Sequence, residues 1–131
     1  MLLLHGGFGT VQDFASQTPD LAKHFRVVAF ERPGHGHTAD NAEPFSFDTM
    51  SSYTVEFIEA LKLGATNLVG WSDGALVGLL IALRRPELVR DLVLIGRESG
   101  GCTAGADGAH GHHEAGRIPT DVQAPIRITV A

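Results

Sequence analysis

The chain has 131 residues, of which 44% are hydrophobic, and a formal net charge of −5. That size suits one domain able to bury roughly two-thirds of its unfolded surface. An acidic balance with no basic stripe argues against a nucleic-acid partner, and the lone cysteine, Cys102, excludes an internal disulfide and suits a cytoplasmic protein. Met1-Leu2-Leu3-Leu4 is too short, and lacks the basic start, for a secretory signal. No apolar run is long enough to span a bilayer, so no membrane association is expected.

Leu2-Leu3-Leu4 reads as a short apolar strand running into a glycine-rich turn, His5-Gly6-Gly7-Phe8-Gly9. Such a turn leaves backbone N–H groups free to face an anion. Thr18-Pro19-Asp20 opens a short helix, with Thr18 as N-cap, proline in the first turn and an acid near the positive end; the helix ends near His24. Arg26 to Phe30 is a nearly unbroken apolar strand of the kind covered on both faces. Glu31 to Thr38 is a turn. His35 and His37 within it make a poor metal pair, because no carboxylate or cysteine sits at matching spacing.

Ser46 or Asp48 caps the next helix, whose Met50, Tyr53, Thr54, Phe57, Ile58 and Leu61 form one stripe. Gly64 is placed to stop it. Asn67 to Trp71 is a strand, Ala75 to Arg85 a helix apolar nearly all round, and Asp91 to Ile95 a further strand after the Pro86 turn. The alternation of strand and helix predicts an α/β fold, a mostly parallel sheet flanked by helices. Residues 1–98 form the core. Residues 99–117, rich in glycine and histidine, carry no periodicity and read as a flexible loop, while 118–131 recover a further core strand at Ala124 to Val130.

Gly70-Trp71-Ser72-Asp73-Gly74 joins the Asn67–Trp71 strand to the following helix. Gly-x-Ser-x-Gly in that setting is a sharp elbow that lifts a serine hydroxyl above a parallel sheet. Glycine is wanted at 70 and 74, where strand and helix approach closely.

These segments resemble the α/β-hydrolase family. The resemblance rests on His5-Gly6-Gly7, Arg32-Pro33-Gly34-His35-Gly36, the serine elbow, and Arg85-Pro86-Glu87-Leu88-Val89 before Leu92-Val93-Leu94. It covers Leu2 to about Gly96, and the Gly-Trp-Ser-Asp-Gly form is similar to that of valacyclovir-hydrolase-like esterases. The resemblance implies that Ser72 is the nucleophile and that the N–H groups of Asp73 and of Gly7 (or Phe8) form the oxyanion hole. It implies no cofactor and no metal, a small ester-like substrate, and ester or lactone hydrolysis.

A serine nucleophile needs a histidine base and an orienting acid, which follow it in the chain in this family. The chain opens at what resembles the third strand, so the expected core lacks the leading hairpin, and the Gly/His stretch stands where the lid is expected. Glu98 with His110, His112 or His113 keeps the permitted order, but a glycine-rich loop does not lock a base. Cys102 has no elbow of its own. The alternative is a catalytically inactive fragment, pseudoenzyme or frame-shifted product, acting at most as a binding or interaction module. An unpaired edge at Ile126 to Val130 would favour a homo-oligomer.

Overall fold

A computed structural model describes residues 1–96 and 126–131. Their elements follow in the order β1 (Leu2–Leu4), a 3-10 turn (Val11–Phe14), α1 (Thr18–Leu21), β2 (Val28–Ala29), α2 (Phe47–Ala60), β3 (Thr66–Trp71), α3 (Asp73–Arg84), a second 3-10 turn (Pro86–Leu88), β4 (Val89–Ile95) and β5 (Arg127–Val130). The described strands make one five-stranded parallel sheet in the order β2-β1-β3-β4-β5. The alternation read from the sequence is therefore realised as an α/β sheet flanked by helices.

Side chains of successive strand residues face opposite ways, so each strand serves two faces. Leu2, Leu4, Leu68 and Leu92 supply one face and pack with Met50 and Ile58 of α2 and with Val77 and Ile81 of α3. Gly78 lets α3 lie against the sheet: a Cβ there would stand 2.9 Å from a Leu92 methyl. On the other face Leu3, Val69 and Val93 are register partners. Leu3 is buried there, and the first 3-10 turn, with its buried Phe14, packs against β1. Val69, Val93 and Ile95 stay half-buried and Trp71 is exposed.

Several elements depart from their sequence reading for local reasons. Strand β2 is two residues long rather than five, and among the described strands it lies at the sheet edge, paired on one side only. Gln17, not Thr18, occupies the cap position of α1; the Thr18 hydroxyl donates instead to the Phe14 carbonyl at 2.8 Å. Ser46 is the cap of α2, accepting from the Thr49 N–H at 3.1 Å. That helix stops before Gly64. Lys62 takes the left-handed conformation (φ 51°), and the N–H groups of Leu63 and Lys62 return to the Ile58 and Glu59 carbonyls. This is the Schellman pattern, with Leu63 packing against the core and Leu61 left exposed. Helix α3 is not covered all round: Leu76 and Leu83 are 47% and 65% exposed.

The glycine-rich stretch at 99–117 and the start of the last strand at Ala124 and Pro125 lie outside the described residues, as do Glu98, Cys102, His110, His112 and His113.

Candidate functional site

The site sits at the carboxyl ends of β1 and β3, where open parallel sheets present their crevices. Ser72 is the single residue between β3 and α3. Its backbone is left-handed, φ 52° and ψ −116°, a conformation that side chains rarely adopt. Hydrogen bonds hold it there. The Ser72 N–H donates to the Ile95 carbonyl at 2.8 Å, and its carbonyl accepts from the Ala75 N–H at 2.9 Å. The hydroxyl makes no capping bond and the residue is exposed.

The two flanking glycines make this turn possible by letting backbones touch. A Cβ at Gly74 would lie 2.0 Å from the Leu4 carbonyl oxygen, and one at Gly70 would lie 2.3 Å from the Gly74 carbonyl oxygen. The start of α3 is thus pressed onto the end of β1, which brings Ser72 beside the loop His5–Gly9. At Gly6 a Cβ would stand 3.4 Å from the Ser72 Cβ and 3.2 Å from the Trp71 ring. At Gly7 it would stand 2.5 Å from the Asp73 carboxylate.

All four residues singled out in the sequence, Gly7, Phe8, Ser72 and Asp73, therefore meet at one end of the sheet. Phe8 is left-handed (φ 55°) and fully exposed. The N–H groups of Gly7, Phe8 and Asp73 take no backbone partner among the described residues. A capping box in the next turn anchors the loop's far end. Thr10 Oγ1 accepts from the Gln12 N–H at 3.2 Å, and Asp13 Oδ2 accepts from the Thr10 N–H at 3.0 Å.

Behind the loop lies a polar layer that the sequence reading left without a role. Arg32 and His5 are each 1% exposed. Arg32 Nη2 donates to the His5 carbonyl at 2.7 Å and to the Gly6 carbonyl at 3.2 Å. The His5 ring is read most simply with the proton on Nδ1, donating to the Gly6 carbonyl at 2.8 Å, while Nε2 accepts from the Arg32 backbone N–H at 3.4 Å. The 3.1 Å approach of Arg32 Nη2 to His5 Nδ1 is then two donors sharing one carbonyl, not a bond. Burial lowers the His5 pKa; its bond to Gly6 opposes this and the Arg32 charge adds to it. Burial also brings the Arg32 guanidinium down to about 10, with the Asp73 charge acting upward. The one signal for this layer was the Arg-Pro-Gly-His-Gly motif, which marks a turn without telling which way its arginine points.

His35 is buried against His5, with ring centroids 4.8 Å apart, and stacks on Phe45. His37 is exposed, and Glu31 accepts from its N–H at 2.6 Å. That carboxylate holds the turn: a Cβ at Gly36 would overlap it. Among the described residues no group of three His, Cys, Asp or Glu side chains converges to hold a metal. No helix among them is long and apolar enough to cross a membrane.

Residues 1–109 match the family described as alpha/beta hydrolase fold, and the chain belongs to that family. It is 36% identical over 97 residues to a probable alcohol acetyltransferase of Wickerhamomyces anomalus, which covers 72% of this chain and 28% of the relative. It is 34% identical over 101 residues to a human serine hydrolase, covering 73% of this chain and 35% of that protein. Among solved structures, an enol-lactonase from Burkholderia xenovorans superposes with a TM-score of 0.69 at 26% identity, over 72% of this chain and 36% of that one. The chain thus spans about a third of the length of the curated relatives it matches.

Proposed function

We propose that this chain carries the nucleophile and oxyanion-binding half of a serine hydrolase that cleaves carboxylic esters or lactones by acyl transfer. The observation that carries the reading is Ser72 itself: a left-handed residue between strand and helix, its hydroxyl without a capping bond, pressed against the loop after β1. In this reading Ser72 Oγ attacks the ester carbonyl as its proton passes to a base. The tetrahedral oxyanion is received by the N–H of Asp73 and that of Gly7 or Phe8. Collapse breaks the bond to the alkoxy oxygen, which leaves with the proton, and water then releases the acid from the acyl-serine. Each such donor is worth about 3 kcal/mol in the transition state. The names of the relatives, a serine hydrolase, an enol-lactonase and an alcohol acetyltransferase, agree with acyl transfer as the shared chemistry.

A second reading, an inactive module, is favoured by one observation. Among the described residues, no histidine or carboxylate is hydrogen-bonded to the Ser72 hydroxyl; His110, His112 and His113, the histidines that follow it in the chain, lie outside them. Turnover of a p-nitrophenyl ester by the wild-type chain and by Ser72→Ala separates the two. The proposal predicts ester turnover that runs through the Ser72 oxygen and is therefore lost in Ser72→Ala. A rate indifferent to Ser72→Ala would contradict the proposal, and no rate at all would favour the inactive module.

A further inference from the structure

The buried guanidinium behind the loop has work that no catalytic assignment explains. Arg32 is enclosed, yet it takes part in no ion pair of the described residues. Its Nε and Nη1 find no partner there. A buried charge without a carboxylate in contact is unfavourable, so the bonds that Arg32 does make carry its role. Here all its side-chain bonds to carbonyls fall on consecutive peptides of a single loop, His5 and Gly6. A trans peptide sets its carbonyl and its N–H on opposite sides. Drawing the Gly6 carbonyl inward to Arg32 therefore turns the Gly7 N–H outward, away from the buried layer. The His5 ring reinforces that orientation by donating to the same carbonyl.

We propose that Arg32 is a positioning residue: its Nη2 amino group holds the His5 and Gly6 carbonyls inward so that the Gly7 N–H is presented on the Ser72 side of the loop. Both carbonyls are gripped by this one nitrogen, which the planar guanidinium holds in a fixed orientation that a flexible lysine ammonium lacks. Asp73, whose carboxylate lies beside Gly7, is the acid whose charge acts on Arg32 from that side. An acid so near a developing oxyanion would oppose it, and the buried cation offsets that opposition.

This inference rests on the reading of the Gly7 N–H as an oxyanion donor, so its test has one arm that needs no chemistry at Ser72. In amide NMR spectra of the full chain, Arg32→Lys and Arg32→Gln are compared with wild type. Cross-peaks of Gly6, Gly7, Phe8 and Gly9 should shift and broaden, while those of Leu68 to Gly70 and of α3 hold their positions. In the second arm a fluorophosphonate probe is followed at several concentrations. The maximal rate of Ser72 modification should fall about tenfold or more in Arg32→Gln, with less change in the concentration giving half that rate. Arg32→Lys should fall between it and wild type. Loop cross-peaks unchanged in both folded variants would overturn the inference, as would loop and sheet cross-peaks changing together. Altered loop cross-peaks with a wild type that the probe does not modify would leave the positioning role standing and sink the oxyanion reading instead.

Discussion

At the scale of single residues, the site is bought with backbone strain, and the strain is measurable. Ser72 holds φ 52° only because β3, α3 and the Ile95 carbonyl fix it from both sides. Glycine adopts that region freely, whereas serine and alanine do not. Ser72→Gly should therefore be more stable than Ser72→Ala by about 1 kcal/mol in denaturant unfolding, although neither has the hydroxyl. Equal stabilities would mean that the turn is relaxed. His5 gives a second residue-scale expectation. Its folded pKa is lowered below the ordinary 6.5, chiefly by burial, so near and below that pH the unfolded chain binds more protons than the folded one. Its contribution to stability is complete above 6.5 and is lost as pH falls from there through the lower folded value. Urea midpoints measured from pH 7.5 down to about 5 should fall, and His5→Gln should flatten the slope. A slope unchanged in His5→Gln would assign the acid sensitivity elsewhere.

At the scale of elements, much was legible in the sequence, and the misses have physical causes. The stripe of α2 and the apolar run of β3 are local patterns, and both elements formed where the pattern lay. End points were harder. Gly64 has the composition of a stop signal, but the helix ends where Leu63 can turn back onto the core, and Lys62 accepts the left-handed position this requires. Lys62→Gly should then stabilise the chain by about 1 kcal/mol, since glycine fits that position without strain. A thermal melt reads the change directly, and a lower melting temperature would contradict the Schellman assignment. The exposed side of α3 was invisible for the opposite reason. Composition shows that Leu76 and Leu83 are apolar, but what lies over them is a matter of tertiary neighbours.

For the whole molecule, the serine elbow and the glycine loop could be read from the sequence because each is a contiguous motif with a steric demand. Gly70 and Gly74 answer that demand by contact with backbone. The polar layer of Arg32 and His5 could not, because it joins residues 27 positions apart across a loop and a turn. The placement of Ser72 beside the loop after β1 depends on β1 and β3 being neighbours in the sheet, a pairing that periodicity does not specify. On the proposed reading, this pairing sets a reactive serine facing free amides. The most direct test is to expose the folded chain to a fluorophosphonate and map the adduct by peptide mass spectrometry. A single phosphonylated serine, Ser72, is expected, lost on prior unfolding and absent in Ser72→Ala. An adduct spread over other serines, or none on Ser72 in the folded chain, would contradict it.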